Sequence, residues 1–128
     1  MPQDIPQRGD IFWAHLPLIE SEGSEQNKDR PVLVISVNSL NSRLPIVVIV
    51  PLSSEIHKIS QHRIRIPESQ KIQEPGTKGC PNVGLALTEQ IRCISRNRLG
   101  DKRLARITPA AMAAVEAGIA YILEIPNV

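Results

Sequence analysis

Aromatic side chains are nearly absent from this chain of 128 residues: Phe12, Trp13 and Tyr121 are all it has. A platform on which successive bases of a single strand stack needs more rings, so extended base stacking is a poor fit. Cysteine is almost as scarce. Cys80 and Cys93 lack the C-x-x-C spacing of a metal site. A reducing compartment is the simplest context for two lone thiols, although one disulfide between them stays open. Long apolar runs are missing too. None reaches the length that spans a bilayer, and none near the start has a signal-peptide pattern, so a cytoplasmic protein with no membrane association is expected. Nor is charge of one sign in excess. With 15 Lys+Arg against 13 Asp+Glu the net charge is +2, too little to require a polyanionic partner.

What is present is enough for a packed interior. Hydrophobic residues make up 41% of the chain, and the length suits one domain over 1–128, with residues 1–8 as a loose N-terminal tail. The charge is unevenly spread. Arg92, Arg96, Arg98, Lys102, Arg103 and Arg106 face a single acid, Asp101, within 92–106, and His57, Lys58, His62, Arg63 and Arg65 form a second basic group. After Thr108 the only charged side chains are Glu116 and Glu124. A basic band on a nearly neutral body suits nucleic acid; a solvated face is the alternative.

Periodicity then divides the chain. Residues 11–16 alternate and read as a strand ended by Pro17. A polar loop runs to Asp29. Residues 30–37 are β-branched and apolar, the mark of a strand covered on both faces. Pro31 fixes its own φ and pushes Arg30 to an extended conformation. Arg30 therefore sits at the mouth of a buried strand, where a guanidinium can grip a phosphate at two points; a surface ion pair is the alternative. The Asn- and Ser-rich 38–43 predicts a turn, and 45–52 (PIVVIVPL) a third strand. If these two strands pair antiparallel, Arg30 and Ser53 meet at one rim of the sheet. Residues 63–67 alternate as a short strand, 68–82 read as loop, 83–94 as another strand region, 97–101 as a turn and 104–107 as a short strand. Thr108-Pro109 is a helix start, with Thr as N-cap and Pro at the first helical position. Met112, Val115, Ile119, Ile122 and Leu123 form the apolar stripe of that helix, and Pro126 ends it. The sum is a mainly β protein with a C-terminal helix (α+β), built as a small, strongly bent sheet or barrel.

Four segments carry a resemblance. They are RGDIFWA at 8–14, GSEQ at 23–26 before RPVLV at 30–34, VPLSS at 50–54, and EQIR at 89–92 followed by Arg98-Leu99. In this order and spacing they resemble the MazF/PemK family, the toxins of type II toxin–antitoxin modules. The resemblance implies an SH3-like barrel and a homodimer. It also implies metal-independent, cofactor-free cleavage of single-stranded RNA at short sequences, and an antitoxin protein that covers the RNA groove. The family's catalytic arginine matches Arg30. Its threonine partner is replaced by Ser53, which keeps the hydroxyl but lacks the methyl that restricts χ1. An arginine that one branch of the family uses falls on Leu87, two residues before Glu89, and a loop histidine of some members falls on Ser24.

Metal-free cleavage uses the 2′-hydroxyl as nucleophile and leaves a 2′,3′-cyclic phosphate and a 5′-hydroxyl, so DNA is inert. Arg30 suits charge stabilisation, Ser53 donation to a phosphate oxygen, and Glu25 or Glu89 the base. Gln26, Lys28, Ser54, Arg63, Arg65 and Gln90 are the expected RNA contacts. Two other readings stay open: a non-catalytic toxin on the same fold that poisons DNA gyrase, and an inactive relative that only binds RNA or antitoxin.

Overall fold

The computed structural model describes residues 5–16, 28–55, 57–74 and 84–126. The expected loop 17–27, with Glu25 and Gln26, lies outside them, as do Cys80 and residues 1–4. Among the described residues there are eight strands: β1 (Asp10–Leu16), β2 (Lys28–Val34), β3 (Ile46–Ser53), β4 (Arg63–Arg65), β5 (Lys71–Gln73), β6 (Leu85–Leu87), β7 (Arg92–Ser95) and β8 (Leu99–Ile107). Helix α1 (Asn38–Arg43) links β2 to β3, and α2 (Pro109–Leu123) closes the chain. All pairings are antiparallel, in the order β4-β6-β3-β2-β1-β8-β5, with β7 also beside β3. This is a curled half-barrel with one C-terminal helix.

The curl has local causes. Along one edge β3 changes partner. Ile46 to Ile49 pair with β7, and Leu52 and Ser53 pair with β6. Pro51, which has no N–H to give, falls in the gap between them. The connecting residues Thr88–Gln90 form a 3-10 turn, so the strand expected over 83–94 is really two, interrupted where β3 offers no donor. A second bend comes from register shifts between β1 and β8 around Phe12; such irregularities sharpen the twist of an antiparallel pair.

Alternation along the strands fills both faces. Ile11, Leu33, Val50, Leu52, Ala86, Ala105 and Ile107 lie under α2 with Met112 and Val115. Phe12, Ala14, Val32, Val34, Val47, Ile49, Ile94 and Leu99 fill the opposite face. That double coverage is why β1 and β2 read as apolar on both parities. Thr108 caps α2 by accepting from Ala111 N at 3.2 Å. Of the expected stripe, Met112 and Val115 are buried and Ile119 packs against the core, joined by Ala111 and Gly118, but the far end turns out to solvent, with Leu123 53% exposed. Gly118 is there for close approach, because a Cβ would stand 3.0 Å from Ile64 and 3.2 Å from Thr88. The helix ends before Pro126, at Glu124, whose backbone turns left-handed (φ 53).

Three further expectations are corrected. Residues 38–43 are helical, not a turn. The Asn41 amide is fully buried and bonds Ser36, and Arg96 donates to Asn41 O at 2.7 Å, so tertiary contacts hold a polar segment too short to be helical alone. Residues 99–103 continue a strand, because Leu99 pairs with Ala14. Residues 71–73, read as loop, form β5 on the outer side of β8. Within the expected tail, Arg8 is tied down: it donates to Ile35 O at 3.0 Å and bridges Glu116. Gly9 follows with φ 96, a conformation that favours glycine.

Candidate active site

Register brings the sequence-predicted pair together. Val32 stands opposite Pro51, and the same register carried two residues further sets Arg30 opposite Ser53. Ala14 flanks Arg30 on the β1 side, Leu85 flanks Ser53 on the β6 side, and Arg65 is opposite Leu85. One row across five strands thus runs Ala14, Arg30, Ser53, Leu85, Arg65. The neighbouring row holds Val32, Pro51, Leu87 and Arg63, and Arg92 stands opposite Ile49 beyond it. These residues share the face turned away from α2, since their neighbours Val32, Val34 and Ile49 belong to the opposite cluster. An apolar floor rimmed by arginines results.

Arg30 is half-buried, and among the described residues its side chain has no ion-pair or hydrogen-bond partner. Arg65 is exposed and Arg92 half-buried, and neither has a carboxylate partner among the described residues. Ser53 Oγ accepts the Glu55 N–H at 3.0 Å. That fixes the oxygen and leaves its own O–H to donate. Ser54 is exposed at the bend just after β3. The Lys58 hydrogen bond, with Lys58's charge, holds the exposed Glu55 carboxyl below its ordinary value, so an anion lies two residues past Ser53.

Glu89 and Gln90 protrude on the 3-10 turn beside Pro51. Gln90 is exposed. Glu89 is engaged: Arg63 donates to its Oε2 from Nε at 3.0 Å and from Nη2 at 2.6 Å, and His62 Nε2 lies 3.7 Å from Oε1. Partial burial disfavours the Glu89 charge and is the largest single influence. The Arg63 hydrogen bond, a backbone hydrogen bond and the charges of Arg63 and His62 together outweigh it, and the pKa falls below 4.5. A pKa lower in the folded than in the unfolded chain stabilises fully above 4.5, and the gain is lost as pH falls through the lower value. Glu89→Gln is therefore expected to flatten the acid limb of stability, read from urea midpoints at neutral and acid pH.

The other candidates scatter. Lys28 pairs with Leu16 in register at the far end of β2 from Val34. His15 is on the helix side of the sheet, 3.2 Å from Asp29 Oδ1, and His57 is exposed. Among the described residues no group of three His, Cys, Asp or Glu could hold a metal ion. Arg92 joins the cationic rim. The break at 88–90 that puts it there has no clear signal in the sequence.

A family model described as the PemK-like, MazF-like toxin of type II toxin–antitoxin systems matches residues 7–123. The chain belongs to the PemK/MazF toxin family. Among curated family members it is 32% identical to endoribonuclease MazF of Staphylococcus saprophyticus, over 75% of this chain and 73% of that protein. It is 34% identical to endoribonuclease EndoA of Bacillus subtilis, over 77% and 78% of the two. Solved PemK/MazF-like structures share the fold. A mycobacterial endoribonuclease in complex with its cognate antitoxin superposes with a TM-score of 0.70 at 21% identity, covering 98% of this chain and 100% of that one. MazF of Deinococcus radiodurans gives 0.71 at 22% identity, covering 96% and 100%.

Proposed function

We propose that this chain is the toxin of a type II toxin–antitoxin module and a metal-independent endoribonuclease that cuts single-stranded RNA. The observation that carries the reading is the row holding Arg30, Ser53 and Arg65 on one open face, with Arg30 unpaired among the described residues. The endoribonuclease names of the two curated relatives support it.

In this reading the scissile phosphate lies over Ser53. Arg30 grips its non-bridging oxygens and neutralises the charge that grows as the 2′-oxygen attacks. The Ser53 hydroxyl donates to the same group. The 2′-hydroxyl proton passes to a carboxylate, the bond to the 5′-oxygen breaks, and that oxygen takes up a proton. Glu25, five residues before Arg30, is the better acceptor, because the Arg63 pair lowers the basicity of Glu89. Arg65 and Arg92 contact the backbone on either side, and Gln26, Lys28, Ser54, Arg63 and Gln90 line its path. A homodimer, an antitoxin partner and a cytoplasmic location belong to the same proposal.

Purified protein in excess EDTA should cut a long mixed-sequence RNA at discrete sites, with 5′-hydroxyl ends. A substrate with 2′-deoxyribose at the mapped site should stay intact. Intact RNA in the presence of folded protein would overturn the reading, and gyrase capture without cleavage would replace it.

A further inference from the structure

The cationic face ends at β4, the terminal strand of the sheet. Arg63 and Arg65 point to the RNA face, and the intervening parity belongs to the helix side. Ile64 packs beneath Gly118, and His62, two residues earlier, meets Tyr121 one turn further along α2. The two rings are stacked, with centroids 6.2 Å apart and planes 6° from parallel. The placement of His62 is braced from three sides. The Thr88 hydroxyl donates to His62 O, Ser60 Oγ lies 3.4 Å from His62 Nδ1, and Glu89 faces Nε2.

The core does not need these rings. Tyr121 remains 51% exposed with His62 against it, and the His62 side chain is 33% exposed. A phenol ring held parallel to a braced imidazole presents a flat apolar surface at the edge of the strand whose other face carries Arg63 and Arg65. A nucleobase joined to a phosphate has the complementary form. A docking protein would bring its own apolar side chains, but Arg65, without a carboxylate partner among the described residues, carries the row from Ser53 to this same strand and suits a polyanion, while Arg63 is held by Glu89 and Lys58 by Glu55.

We propose that His62 and Tyr121 form a base-stacking subsite at the β4 edge, which takes one nucleobase of the same single-stranded RNA beyond the scissile phosphate. The proposal rests on the endoribonuclease reading. It predicts that an RNA long enough to pass Arg65 wraps the sheet edge and stacks one base on Tyr121. A short fragment confined to the Arg30 and Ser53 region gains nothing from it.

The test uses the full chain and its Tyr121→Ala and Tyr121→Phe variants. Stacking on one ring predicts that Tyr121→Ala raises KM for long RNA roughly fivefold to 150-fold. kcat, melting temperature and cleavage of the short fragment should not change, and Tyr121→Phe should restore the parental KM. A 2-aminopurine walked along an uncleavable 2′-deoxy-substituted RNA should be quenched at one position by the parent and not by Tyr121→Ala. Parental KM and quenching in Tyr121→Ala would overturn the subsite. So would weakened antitoxin binding with an unchanged KM, or a loss of kcat alongside a lower melting temperature. If the parent cut no RNA, the cleavage reading would fail, and 2-aminopurine quenching alone would still decide the subsite.

Discussion

Arg30→Ala is expected to lower the rate of RNA cleavage by about 100- to 1000-fold, the usual loss when one preorganised charge-stabilising donor is removed from a reacting centre. The fold should survive, because Arg30 is half-buried at the end of β2 and supports no ion pair among the described residues. Nothing buried loses a partner, so the stability change should stay within about 0.5 kcal/mol, the range for surface substitutions. Single-turnover kinetics on a mapped substrate, with a melting curve on the same sample, separate the two quantities. The conservative change is also informative. Arg30→Lys keeps the charge but not the planar fork, so it should recover only part of the rate. Parental cleavage by Arg30→Ala would remove Arg30 from the site, and the row would then describe a surface that binds RNA without cutting it.

The pairing of Arg30 with Ser53 was legible in the sequence because two adjacent strands with one connection leave little freedom. Both strands are apolar on both parities, the link between them is short, and antiparallel pairing puts the start of one beside the end of the other. That holds whether residues 38–43 turn or form α1, so the mistaken reading of that segment did no harm to the site. The Thr108 cap was legible for a similar reason: its evidence is local, in a hydroxyl and a proline one residue apart.

The break at Thr88–Gln90 was not legible. Residues 83–94 alternate well enough to be one strand, and the interruption comes from the partner, since β3 has Pro51 where the ladder would continue. That one tertiary effect moves Glu89 out to meet Arg63 and His62 and sets Arg92 on the cationic face. Short strands such as β5 escaped notice because three residues carry too little periodicity to be read.

Leu33→Ala should be the most destabilising of the changes considered, and it tests the division of labour between the two faces. Leu33 has no solvent exposure, and its parity puts it under α2 with Val50, Leu52 and Val115. Truncation leaves a cavity that the β2 backbone cannot collapse to fill, because β1 and β3 clamp it through Ile11 and Val50. The cost is about 2–5 kcal/mol, or a melting temperature lower by roughly 8–20 °C in a domain of this size. Arg30 lies three residues away on the same strand but on the other face, so its register against Ser53 does not depend on the Leu33 side chain. Well below its lowered melting point, Leu33→Ala should therefore cut RNA at a rate within about twofold of the parent, as expected when sites share no partner. A rate that fell with stability even in the cold would mean that packing under α2 positions the arginine, and that the two faces of β2 are not independent.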